Sequence, residues 1–154
     1  MLKVKDIMVK EVVTIQSDQT IQAAVKIMNE NRIGSLVVLE NGLVAGMVTE
    51  RDMLERVIAV SADPVKTLVW QVMSTPVVTI EPETMVEEAV ELMFKHKIKK
   101  LPVVEVDGQL VGLVTLTDIA RIYPALMSTL RKHFEEKCEA PPKQMEKVMN
   151  FYIV

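Results

Sequence analysis

The sequence predicts a mixed α+β (α/β) chain built from two tandem β-α-β-β-α repeats and a helical C-terminal tail. Three observations predict it. GLVAGMVTERD, starting at Gly42, returns as GQLVGLVTLTD at Gly108, with both glycines, a valine, a threonine and the final aspartate identical. MVKEVVTI from Met8 matches MSTPVVTI from Met73, AVKIM from Ala24 matches AVELM from Ala89, and RIGSLVV from Arg32 matches KIKKLPV from Lys97. Each copy switches between apolar runs and helical stripes in the same order. A fixed spacing of this kind marks an internal repeat. The repeats fall at residues 1–62 and 63–122, and the tail at 123–154.

Each repeat opens with a short β-branched run, Val12–Ile15 or Val77–Ile80, read as a strand. A stripe at helical spacing follows: Ile21, Ala24, Val25 and Met28, then Val86, Ala89, Val90 and Met93. Thr84 and Glu87 have the spacing of a capping box for the second of these helices. Two apolar runs come next, SLVVL and LVAGMV around Asn41-Gly42, LPVVEV and QLVGLV around Asp107-Gly108. Asn-Gly and Asp-Gly accept the positive φ of tight hairpin turns. Helices then start at Glu50 and Leu116. Asp63-Pro64 reads as the cap and first residue of a linking helix reaching about Met73. Pro124 starts a further helix, with Ile122, Leu126, Leu130, Phe134 and Cys138 on one apolar face. Ala140-Pro141-Pro142 ends it, and Met145–Val154 carries no assignable period.

Composition narrows the function. A net charge of −3 is wrong for a general nucleic-acid binder, which needs a basic face. The single cysteine, Cys138, fits a reducing compartment, and the opening MLKVKDIMVKEV lacks a signal peptide's apolar core. No apolar run reaches the ~18 residues of a membrane span. A cytoplasmic protein is the expectation. The eleven methionines read as adaptable core filler.

The repeated eleven-residue pattern ends in Thr49-x-x-Asp52 and Thr115-x-x-Asp118, at the point where a strand becomes a helix. Locally this is a near capping box, with Thr accepting from the third amide and the acid reaching back. The same atoms also suit a nucleotide. Free amides and a threonine hydroxyl favour phosphate, and an ionised aspartate accepts from two vicinal ribose hydroxyls. Gly46 and Gly112, mid-strand, mark a bulge or a close approach, leaving room for such a group.

Paired units with G-x-x-x-G-hydrophobic-V-T-x-x-D, and K-I-x-x-L-P-V-V before the hairpin, resemble a CBS-domain pair (tandem cystathionine β-synthase domains, a Bateman module) over about residues 1–122. The resemblance implies repeats packed sheet to sheet about a pseudo-twofold axis, often as disc-like homodimers. It also implies a regulatory sensor of adenosine-containing ligands, acting on an unknown effector protein in trans. Each cleft would draw its ribose aspartate from one repeat and its base pocket from the other. One cleft would hold Thr49, Arg51 and Asp52 with Thr75, Val77, Ile98, Lys99 and Lys100. The other would hold Thr115, Thr117 and Asp118 with Val12, Ile33, Gly34 and Ser35. Val37 stands where repeat two has Pro102, which would loosen the wall around Ile33–Leu36. AMP, ADP or ATP is the expected regulatory ligand, with no obligatory cofactor. The basic run Lys95–Lys100 predicts that the Asp52 cleft prefers more phosphates than the Asp118 cleft. Lys95–Lys97 also suit a solvated helix C-terminus.

Other functions compete. Catalysis lacks a constellation: His96 lies among lysines, His133 reads as a tail surface residue, Cys138 as a small buried hydrophobe, and neither metal spacing nor a phosphate loop appears. The chain is therefore expected not to be an enzyme. A ligand-free dimerisation or protein-interaction module is the alternative, but both aspartates are present. S-adenosylmethionine and single-stranded nucleic acid are lesser ligand options.

Overall fold

The computed structural model describes residues 1–136, 143 and 146–148, excluding the side chains of 133 and 134. Expectations for the His133 and Phe134 side chains, for Cys138 and Ala140–Pro142, and for most of Met145–Val154 lie outside the described residues. In order, the elements are α1 (Val4–Ile7), β1 (Thr14–Gln16), α2 (Ile21–Asn31), β2 (Ser35–Glu40), β3 (Leu43–Thr49) and α3 (Glu50–Met53). The last runs into a wider π-type turn over Leu54–Ile58. Then come α4 (Val69–Val72), α5 (Val86–His96), β4 (Lys100–Val104), β5 (Leu110–Thr115), α6 (Leu116–Ile122) and α7 (Pro124–Glu136).

Two compact units form. One comprises residues 12–77 with 108–110, and the other Met1–Glu11, Val78–Asp107 and the described residues from Val111 on. The helix that precedes each repeat in sequence therefore belongs to the unit of the other repeat. The hydrogen bonds show how. Val69 N donates to Gln19 O (2.8 Å), Trp70 N to Ser17 O (3.0 Å) and Ile21 N to Thr67 O (2.9 Å). Val4 N donates to Thr84 O (2.8 Å), Lys5 N to Pro82 O (3.0 Å) and Val86 N to Leu2 O (3.1 Å). The two sets correspond bond for bond. Each incoming segment thus satisfies the first amide of the long helix of the unit it joins, a donor with no partner inside its own helix.

In the first unit β1 pairs parallel with β2, and β2 antiparallel with β3. The core holds Ile15, Ile21, Ala24, Met28, Leu36, Val38, Val48, Val69 and Val72. Thr20 caps α2, accepting from Ala23 N at 3.1 Å. Asn41 and Gly42 both have positive φ, as the Asn-Gly turn requires. The second unit packs Val4, Val86, Ala89, Val90, Met93, Leu101, Val114 and Met127 around β4 and β5.

Several expectations are corrected. Val77–Ile80 is not a strand: a single parallel bridge joins Ile80 to Val103, beside Pro102, which has no N–H to give a ladder. Val37, its counterpart, is fully buried and paired with Thr14 on one side and Met47 on the other. Thr84 does not cap α5. The cap position is one residue later, at Met85, the counterpart of Thr20, and a methionine side chain makes no capping bond there. The linker is not one helix. Asp63 holds a turn by accepting from Val65 N (2.9 Å), and α4 begins only at Val69. Gly108 alone has positive φ in the second hairpin, across a longer loop. On the tail helix Leu126, Met127 and Leu130 are buried, whereas Ile122 faces solvent.

The mid-strand glycines admit protein rather than leaving space. A Cβ on Gly46 would lie 2.5 Å from Met73 Sδ, and one on Gly112 2.4 Å from Met8 Sδ. Backbone bridges Met47–Ser74 and Val9–Leu113 fix the same segments against β3 and β5. A bulge beside Gly46 completes the close approach: the register moves from Val38–Gly46 to Leu39–Val44.

Two predictions follow from this packing. Gly112→Val should destabilise by about 1–3 kcal/mol through overpacking against Met8 and Val9, and Met8→Ala should recover part of the loss in chemical denaturation. Glu83 accepts from Lys3 and Lys5, and the two ammonium groups hold its carboxyl down at about 2. A depressed carboxyl stabilises above its ordinary value near 4.5 and loses that contribution as pH falls towards 2. The melting-temperature gap between wild type and Glu83→Gln should be small at neutral pH, shrink in high salt, and close across that acid window.

Candidate functional site

The two Thr-x-x-Asp corners begin alike. Thr49 is the cap residue of α3 and Thr115 that of α6. The hydroxyl of Thr49 accepts from Asp52 N (3.2 Å), and that of Thr115 from Asp118 N (3.1 Å). The first helical amides are also taken: Glu50 N donates to Gly34 O (2.9 Å) and Leu116 N to Lys99 O (2.8 Å). The expected row of free amides for a phosphate is therefore largely spent, a correction to the anion-site expectation. So is the expected ligand space at the glycines, which Met73 and Met8 fill.

The carboxylates then diverge. Asp52 is 6% exposed. Its Oδ2 accepts from Thr49 N (2.9 Å) and Thr49 Oγ1 (3.1 Å). Its Oδ1 accepts from Ser74 Oγ (3.3 Å) and lies 3.8 Å from the Arg56 guanidinium. That guanidinium also donates to Val72 O (2.7 Å) and Met73 O (3.1 Å), at the end of α4. Asp52 is thus a closed capping box locked to the incoming segment.

Asp118 is only half-buried. Its Oδ2 accepts from Thr115 Oγ1, while Oδ1 has no hydrogen-bond partner among the described residues. The cause lies in two positions. Repeat two has Val9 where repeat one has Ser74, and Ile122 where repeat one has Arg56. Neither can donate, and both are about half exposed. One oxygen of Asp118 remains able to accept from something else.

The other residues named from the sequence fall as follows. Arg51 is exposed and paired with Glu55. Thr75 and Lys99 are exposed, while Val77, Ile98, Lys100 and Thr117 are half-buried. Val12, Ile33 and Gly34 are half-buried and Ser35 is buried. Lys97 closes α5 in the left-handed conformation (φ 56°), and Lys95 and His96 end that helix exposed, as a solvated C-terminus requires. Sequence reasoning missed Arg56 and Ser74. Arg56 was findable, since it stands four residues after Asp52 on the same helical face. Ser74 was not, because only the exchange of segments brings it to Asp52. Among the described residues no His, Cys, Asp and Glu side chains gather as a metal site, and no helix is long and apolar enough to cross a membrane.

Comparison with known proteins places these corners in a family. The CBS-domain model matches residues 4–59 and again 69–125. The chain is 41% identical over 120 residues to the CBS domain-containing protein YhcV of Bacillus subtilis, across 78% of this chain and 84% of that protein. The chain belongs to the CBS-domain family and carries two CBS domains in tandem. Among solved structures it is similar to a putative signal-transduction protein with CBS domains from Burkholderia ambifaria (31% identity, TM-score 0.69, 75% of this chain and 85% of that one). It is also similar to the CBS-domain pair of protein MJ0100 in complex with 5′-methylthioadenosine and S-adenosyl-L-methionine (28% identity, TM-score 0.73, 81% of this chain and 98% of that one).

Because Asp52 is a buried acceptor of three hydrogen bonds, Asp52→Ala should cost about 1–3 kcal/mol. Asp118→Ala should cost less, since Asp118 has fewer partners and more exposure. Urea denaturation of the two variants checks the order, and equal losses would contradict it.

Proposed function

We propose that this CBS-domain pair is a regulatory sensor of adenosyl ligands and not an enzyme, and that Asp118 is its operative ribose-binding carboxylate. The observation that carries the proposal is the free Oδ1 of Asp118 beside Thr115 and Thr117. An ionised carboxylate oxygen of this kind accepts from a ribose hydroxyl without first breaking a bond to its own chain. The complex of the similar MJ0100 pair with two adenosyl compounds supports the ligand class. Val12, Ile33, Gly34 and Ser35 are the proposed base-side residues of the same ligand, on the strength of the family resemblance.

The Asp52 corner, with Thr75, Val77, Ile98, Lys99 and Lys100 as its proposed partners, is the weaker site. A ligand there must displace Ser74 and compete with the Thr49 amide, and the Arg51 cation is already engaged by Glu55. AMP, ADP and ATP are the nucleotides proposed, with 5′-methylthioadenosine and S-adenosylmethionine as members of the same class. The ligand acts by favouring one of two pre-existing arrangements, which a partner protein reads.

Isothermal calorimetry with this panel is the test. Asp118→Ala should lower affinity for the best ligand at least about tenfold, the share of a hydrogen bond to a charged group, while Asp52→Ala retains it. No heat with any member, and no thermal shift at saturation where ~100 Kd of ligand should add about 2.7 kcal/mol, would leave the ligand-free interaction module as the better description. Self-association belongs to the proposal as well. Leu54, Ile58 and Trp70 are each more than half exposed on the first unit, an unusual amount of apolar side chain for solvent. Sedimentation should show a dimer that Leu54→Glu with Ile58→Glu converts to monomer.

A further inference from the structure

Each unit seats its leading segment on a thioether. Met73 Sδ rests on Gly46 and Met8 Sδ on Gly112. Both methionines are only half-buried, whereas Met28, Met53, Met93 and Met127 are buried. The amides of the bridges beside each sulfur are spent. Met47 N donates to Ser74 O (3.1 Å) and Ser74 N to Met47 O (2.8 Å). Val9 and Leu113 exchange the same pair of bonds, both at 2.9 Å. An oxygen added to either sulfur would find no unspent donor in those bridges.

We infer that Met8 and Met73 are oxidation sites through which a peroxide loosens the leading segment of each unit. Hydrogen peroxide gives one oxygen atom to the thioether: its O–O bond breaks, an S–O bond forms, water leaves, and sulfur is oxidised by two electrons. The product is a polar, chiral sulfoxide, which methionine sulfoxide reductases return to the thioether. A sulfoxide oxygen accepts hydrogen bonds, and burying it against a strand that is already paired leaves it without a donor. The side chain is driven off the glycine towards water, and the segment loses its seat. In the first unit that segment carries Ser74, which donates to Asp52 (3.3 Å), and the Val72 and Met73 carbonyls that hold Arg56. Oxidation of Met73 therefore withdraws the Ser74 hydroxyl from Asp52. In the second unit the segment carries Leu2, whose carbonyl receives the Val86 amide at the start of α5.

Hydrogen peroxide on the full chain, without ligand, is the probe, read by peptide mass spectrometry and thermal melting. Sulfoxide at Met8 and Met73 should form ahead of the buried Met28, Met93 and Met127. It should lower the melting temperature by at least about 3 °C, the scale of one lost packing contact in a chain of this size. The loss should track sulfoxide at these two positions across exposure times, a reading that needs no variant. The two epimer-specific reductases with a thiol should restore the melt. Met8→Leu with Met73→Leu keeps the side-chain volume nearly constant and removes both sulfurs. Its melting temperature should hold through the same exposure, although the exposed Met1 and the half-buried Met47 and Met85 remain oxidisable. Met8 and Met73 unreacted once Met1 is fully oxidised, an unshifted melt with both oxidised, or an equal loss in the double variant would each overturn the inference.

Discussion

A methionine side chain resting on a glycine holds each unit together at its most consequential point. Met73 lies against Gly46 and Met8 against Gly112, closer than any side-chain carbon at those glycines would allow. The contact lets the incoming segment run directly beside the last strand of the hairpin and bridge to it. From that placement follow the amide bonds that start the long helices, the burial of Val69 and Val4, and the identity of the residue beside each aspartate. Without glycine in the strand, the segment would have to stand off by the width of a methyl group, and the hydrogen bonds would lengthen together.

The same contact explains why two nearly identical corners have different chemistry. Whatever residue follows the methionine is delivered to the Thr-x-x-Asp box. In the first unit it is Ser74, a donor, and Arg56 adds a cation that also caps α4. Asp52 thereby becomes a structural residue with both oxygens engaged. In the second unit it is Val9, and Ile122 stands at the position of Arg56; neither side chain has anything to donate. Asp118 keeps an unspent oxygen at a half-open position. A motif of two residues is thus a cap or a ligand site according to neighbours outside it.

Much of this was legible in the sequence, and the limits have physical reasons. Elements whose signal is local came through: the α2 and α5 stripes, the Asn41-Gly42 turn, the start of α7 at Pro124 and the strand-to-helix corners. Elements that depend on pairing did not. Val77–Ile80 has the composition of β1 but only one bridge, because its neighbour carries Pro102. Thr84 has capping chemistry, yet it stands one residue before the cap position, which Met85 occupies. The aspartates were identifiable as candidates, but their difference was not, since Ser74 and Val9 approach from segments distant in sequence. Glycine in a strand correctly announced a close approach, and only the structure shows that a methionine makes it.

The exchange of leading segments bears on how such a pair can be taken apart. Cutting at residue 62, where the sequence repeat ends, removes α4 from the first unit's core and leaves α1 without the helix whose first amide it serves. Neither half would be a complete folding unit, and a chimera joined there from two homologues would set each hairpin against a foreign methionine. Such a tandem is expected to be inherited, duplicated and recombined whole, with its joints tolerating exchange only where both partners of the glycine contact travel together.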